Sequence, residues 1–137
     1  MESIYFDWNV FNINSLLMNK KTLVIGASLK PQRYSNIAIN RLVKYSQEVV
    51  AFGLREGTVA GIEIDTDLMP YKDVHTITLY LNPERQKAYY DYIISLMPER
   101  VIFNPGTENT ELQNLLKQNN IFFEEACTLV LLGTNQY

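Results

Sequence analysis

Short β-branched runs alternate with amphipathic segments along this chain, and that alternation limits the fold more than any other feature. The runs are "TLVIG" (22–26), "EVVAFGL" (48–54), "VHTITLYL" (74–81), "RVIFN" (100–104) and "IFFEEA" (121–126). The continuously apolar ones suit strands buried on both faces of a sheet. Between them, "SNIAINRLVKYS" sets Ala38, Ile39, Leu42 and Val43 at helical spacing behind Ser35, a candidate N-cap. "NPERQKAYYDYIISLM" (82–97) predicts one helix, with Asn82 as cap, Pro83 in the first turn and Tyr89, Tyr92, Ile93 and Leu96 along one face. "TENTELQNLLKQNN" (107–120) predicts another, capped by Thr107. "TVAGIEID" (58–65) reads as a short extended excursion, and an apolar tail to Gly133 follows the last run.

Strands separated by helices in this way require right-handed βαβ crossovers. The expected fold class is α/β, a Rossmann-like three-layer domain with a mainly parallel five-stranded sheet. A length of 137 residues suits one such domain. We divide it into an N-terminal extension, 1–17, and the domain proper, 18–137. Ligands of these sheets sit outside the carboxyl ends of the strands, near the switch point. That rule selects the loops at 26–36, 53–57, 80–83 and 104–107.

Charge and composition narrow the function. A formal charge of −3 offers no broad basic field for nucleic acid. No apolar stretch has the length of a membrane span. The single cysteine, Cys127, excludes an internal disulfide and suits a reducing, cytoplasmic setting. The opening "MESIYFDWNVFNINSLL" lacks the basic start and continuous apolar centre of a signal peptide. Its Tyr5, Phe6, Trp8 and Phe11 are expected to pack on this subunit or on a sister subunit, the second case making a homo-oligomer.

The loop after the first run carries the chemistry. Gly26 lets backbone approach a ligand closely, and a helix opening near Ser35 would aim free N–H groups at it. Ser28 supplies a hydroxyl and Arg33 a charge-assisted contact to phosphate. The Gly-x-Gly-x-x-Gly fingerprint of an NAD site is absent. Arg55, after the second run, stands where an NAD site has an acid, and so favours a phosphorylated ribose, that of NADP or coenzyme A.

"GASLKPQRYS" (26–35) resembles the Gly-Ala-Ser-x-x-Pro-x-Arg-x-Ser signature of the small CoA-binding proteins, which are similar to the nucleotide-binding domain of the succinyl-CoA synthetase alpha subunit. The resemblance runs through roughly 21–127, with Val59-x-Gly61, Pro105-Gly106 and Cys127 at matching places. After the second strand the family tends to have Asn-Pro-Lys; here stand Gly53, Leu54 and Arg55, which keep only the cation. The resemblance implies that Gly26, Ala27 and Ser28 meet the adenosine diphosphate part of CoA. It implies that Pro31, Arg33 and Ser35 shape and charge the phosphate pocket, with Arg55 near the ribose 3′-phosphate. Asn104 is a further candidate to hydrogen-bond a ligand, or else a turn residue.

Catalytic groups are scarce. His75, the only histidine, falls at the strand end away from the ligand loops. Cys127 has acidic and apolar neighbours rather than the base or cation a nucleophile needs. Asp65, Asp67 and Asp73 lack the spacing of a Ca²⁺ loop. Glu108 and Glu111 complement a helix dipole. The expectation is a cytoplasmic, non-catalytic protein that binds CoA or an acyl-CoA, without catalytic or metal sites. The alternatives are an NADP-dependent oxidoreductase or CoA-using transferase, and a non-binding Rossmann-like interaction module.

Overall fold

The computed structural model describes residues 19–137, so the expectations for 1–17 lie outside the described residues. The elements are β1 (Thr22–Ala27), α1 (Tyr34–Lys44), β2 (Val49–Gly53), β3 (Gly57–Val59), β4 (Ile62–Asp65), β5 (Thr76–Leu79), α2 (Pro83–Gln86), α3 (Tyr90–Ser95), β6 (Arg100–Phe103), α4 (Thr110–Gln118), β7 (Phe122–Glu125) and α5 (Thr128–Gly133). The sheet order is β3-β4-β2-β1-β5-β6-β7. Every pairing is parallel except β3 with β4. The Rossmann-like α/β class therefore holds, with seven strands rather than five. The extra two are the expected extended excursion: Val59 pairs with Ile62 around Ala60-Gly61, both at positive φ, and the hairpin adds β4 beside β2.

The sheet buries both faces. Leu23, Ile25, Ile77, Leu79, Val101 and Phe103 pack on one side with Ile93 of α3 and with Leu112 and Leu116 of α4. Val24, Ala51 and Ile64 pack on the other with Ile39 and Leu42 of α1 and Leu132 of α5. Val24 and Ala27 share that second side although three positions apart, which simple alternation forbids. Gly26 resolves this: β1 pairs Ile25 with Phe52 and then Ala27 with Gly53, a bulge at φ +95° that reverses the parity of the strand.

Other details differ from the sequence-based expectations. The segment after 126 is a helix, α5, packed on α1. Helix α1 is capped by Arg33 without a side-chain bond, and Ser35 lies buried one turn position inside. Asn109 rather than Thr107 caps α4, accepting from Leu112 N at 3.2 Å. Asn82 does cap α2, accepting from Arg85 N at 2.9 Å. The helix expected over 82–97 is broken by a 3₁₀ turn at Lys87–Tyr89.

Candidate functional site

From β1 the chain runs outward through β2 to β4 on one side, then crosses back and runs outward through β5, β6 and β7 on the other, so the switch point lies between β1 and β5. Backbones meet closely there. A Cβ at Gly26 would sit 2.9 Å from the carbonyl of Tyr80, and one at Gly53 would sit 2.3 Å from the carbonyl oxygen of Ala27. Above these contacts opens a cleft of about 590 Å³, walled by the four loops selected from the sequence. Gly26, Ala27, Ser28, Arg33, Ser35, Gly53, Leu54 and Arg55 all line it.

The β1–α1 loop is held in shape by its own polar groups. Ser28 Oγ accepts from Lys30 N at 3.1 Å, which leaves the hydroxyl proton to donate. Asn36 Nδ2 donates to Ser28 O at 2.9 Å, and Arg33 N to Lys30 O at 3.1 Å. The Leu29 side chain rests against Gly57 of β3, where an added Cβ would come within 2.4 Å of its Cδ2. The first turn of α1 carries no acid and no side-chain cap, so its N–H groups and positive dipole end face the cleft unopposed.

The electrostatics are one-sided. Lys30, Arg33, Arg55 and Arg85 line the cleft and, among the described residues, no carboxylate does. Among the described residues none of these four cations takes part in an ion pair. Lys30 and Arg85 had escaped the sequence reading: Lys30 falls between signature positions, and Arg85 is legible only once α2 is placed beside the cleft.

Two expected site residues do not line it. Pro31 is exposed in the turn, and Asn104 is 3% exposed beneath the loops. Asn104 Nδ2 donates to Thr78 Oγ1 at 2.7 Å and to Leu79 O at 2.9 Å, and its Oδ1 accepts from Thr128 N at 2.9 Å. Its amide ties β5, β6 and α5 together. A second buried amide, Gln86, donates to Leu81 O and Thr107 O, both at 2.8 Å, and accepts from Asn109 Nδ2 at 2.8 Å. These amides brace the far wall of the cleft.

The remaining reactive candidates stand elsewhere. Cys127 is half-buried at the start of α5 and is not a cleft residue. Tyr80 does reach the cleft, and burial pushes its hydroxyl up to about 12, against the opposing effect of the Thr128 and Thr78 hydroxyls. His75 precedes β5 at the opposite end of the sheet, with Nε2 2.9 Å from Glu99. Burial lowers its pKa and outweighs Glu99, a mostly exposed partner, while Arg100 and Lys20 lower it further.

A second hollow, of about 500 Å³, lies beyond the cleft between the β3–β4 hairpin and the following loop. Its charged lining is acidic only: Glu56, Glu63, Asp65 and Asp67. Asp65 accepts a hydrogen bond from the Tyr71 hydroxyl, whose pKa is raised by burial and then by that bond. No group of three metal-ligating side chains occurs among the described residues, and no described helix is long and apolar enough to cross a membrane.

Residues 20–133 match the model of a family described as "CoA binding domain". Among solved structures, one titled as an uncharacterised protein is 43% identical, covering 87% of this chain and 98% of its own, with a TM-score of 0.85. A Thermus thermophilus protein is 18% identical over 92% of this chain and 96% of its own (TM-score 0.78). A hypothetical protein from Pyrococcus horikoshii OT3 is 23% identical over 90% of this chain and 87% of its own (TM-score 0.75). These last two likenesses concern the fold alone. No curated protein matches the chain.

Proposed function

This chain belongs to the CoA-binding domain family, and on that footing we propose that it is a non-catalytic protein holding CoA or an acyl-CoA in the switch-point cleft. The observation that carries this reading is a lining of four cations that, among the described residues, holds no carboxylate and joins no ion pair, in a chain of net charge −3. Such a lining selects a polyanion. The pyrophosphate lies over Gly26, Ala27 and Ser28 at the start of α1, where backbone N–H groups and Arg33 receive it. Pro31 and Ser35 set the course of that loop, Gly53 forms the floor beside it and Leu54 stands at the exposed rim. Arg55, just past β2, meets the ribose 3′-phosphate. The pantetheine arm leaves past Leu81 and the Pro105-Gly106-Thr107 turn, a wall without charge.

Isothermal titration at low salt tests this. CoA binds saturably, and removal of its 3′-phosphate weakens binding; equal binding of both forms would remove Arg55 from the site. Arg55 also fits the ribose phosphate of NADP, so the same titration with NADP and NAD decides for or against an oxidoreductase. Absence of binding by all four would favour an interaction module. The reading places the protein in the cytoplasm, where the thiol of Cys127 stays reduced. It assigns self-association to the aromatic segment 1–17, tested by sedimentation velocity with and without those residues.

A further inference from the structure

The helix expected over 82–97 breaks where no proline or glycine requires it. Its middle is a 3₁₀ turn, Lys87–Tyr89, and the backbone leaves helical geometry at Tyr89, with φ −115° and ψ 5°. A short 3₁₀ insertion rotates the residues after it about the axis relative to those before, and such breaks often mark functional positions. Three tyrosines cluster here, and two are engaged in the fold. The Tyr90 hydroxyl accepts from Asn109 Nδ2 at 2.9 Å, and the Tyr92 hydroxyl donates to Met69 O at 2.5 Å. Tyr89 alone of the three lines the cleft. It is half-buried, and its ring packs edge-to-face with Phe52 at 5.3 Å between centroids and 69° between planes. Phe52, itself 6% exposed, thus fixes the orientation of an aromatic ring on the cleft wall. Arg85, from the helical turn before the break, lines the same cleft.

We propose that Tyr89 is the surface on which a purine base lies, with Arg85 beside it, so that the cleft takes an adenine nucleotide by its base as well as by its phosphates. This assignment rests on the CoA reading for the rest of the ligand and adds the base contact to it. An aromatic side chain serves this role because every base has a π face, and stacking survives loss of the tyrosine hydroxyl.

The test divides the ligand. CoA, adenosine 3′,5′-bisphosphate and 4′-phosphopantetheine are titrated into the full chain and into its Tyr89→Phe and Tyr89→Leu variants. Tyr89→Phe binds all three as the parent does. Tyr89→Leu binds CoA and adenosine 3′,5′-bisphosphate about tenfold more weakly, while 4′-phosphopantetheine is unaffected. Unchanged CoA affinity in Tyr89→Leu, or an equal loss for both halves of the ligand, overturns the assignment. Should the leucine variant fail to fold, nuclear Overhauser contacts between adenine protons and the Tyr89 ring in the unmodified complex decide the matter, and their absence overturns it. Failure of the unmodified chain to bind CoA at all would instead overturn the proposed function, and the base contact with it.

Discussion

The switch-point cleft and the acidic hollow are of similar size, about 590 and 500 Å³, and opposite in chemistry. The chain passes from one to the other between two neighbours, Arg55 and Glu56, in the link from β2 to β3. The cleft stands on close backbone approaches at Gly26 and Gly53, on the free start of α1 and on buried amides beneath its far wall. The hollow stands on an edge hairpin and a loop, and of its carboxylates Asp65 is held by the Tyr71 hydroxyl. Volume therefore says little about which concavity is built to hold a ligand. The difference lies in what the backbone presents and in which sign of charge lines the concavity.

Several substitutions would break or sharpen that contrast. The largest effect is expected from Gly53→Val, whose Cβ would fall 2.3 Å from the Ala27 carbonyl oxygen. It should cost about 3 kcal/mol in urea unfolding, since rigid backbone cannot yield as a side chain does. At the turn of the β3–β4 hairpin, by contrast, Gly61 has open space around it, although its φ of +81° still favours glycine. Next, Arg33→Ala with Arg55→Ala should weaken CoA binding about 100-fold, each charged hydrogen bond contributing roughly 1.5–3 kcal/mol before partial compensation by Lys30 and Arg85. The paired control, Glu63→Gln with Asp67→Asn, should leave the CoA affinity within about twofold, because exposed charges at that distance are screened at ordinary salt. Calorimetry reads both, and equal losses would erase the distinction. Asn104→Leu leaves three buried partners without their bonds and should cost about 2 kcal/mol of stability, loosening the cleft wall without removing a ligand contact.

The smallest effect concerns the other end of the sheet. Burial holds the pKa of His75 below its ordinary 6.5. The unfolded chain then binds the proton more readily, so stability is full above that value and declines as pH falls through it toward the folded pKa. His75→Gln should flatten this part of the pH–stability profile and leave CoA affinity unchanged. A shift in affinity would mean that the two ends of the sheet communicate.

Much of the fold was legible because five of the strands are apolar runs separated by patterned helices. The ligand loops followed from topology: once strands and crossovers are placed, Gly26, Arg33 and Arg55 fall at one end. The β3–β4 hairpin was not legible as sheet, since β3 has only three residues and its two-residue turn begins with Ala60, an uncommon choice at φ +51°. An Ala60-Gly61 pair between the β-branched Val59 and Ile62 was the available signal. The break at Tyr89 was also hidden, because tertiary packing on Phe52 rather than any helix breaker accompanies it. The bonds of Asn104 were hidden for a related reason. A polar residue at a strand end next to Pro-Gly looks like a ligand contact, and only the nearness of Thr78 and Thr128 reveals its use within the fold.

The placement of β1 at the centre, between β2 and β5, has a consequence for how the molecule assembles. One wall of the cleft forms from neighbours in sequence, β1, α1 and β2, while the other awaits β5, whose residues lie some fifty positions further on. Parallel pairings of such separation form slowly, because the loop between them must close before any contact rewards it. A ligand that spans both walls meets its full site only after β5 has docked. CoA should therefore slow unfolding far more than it speeds folding, and a cell with ample ligand would lengthen the lifetime of each native molecule without hastening its birth.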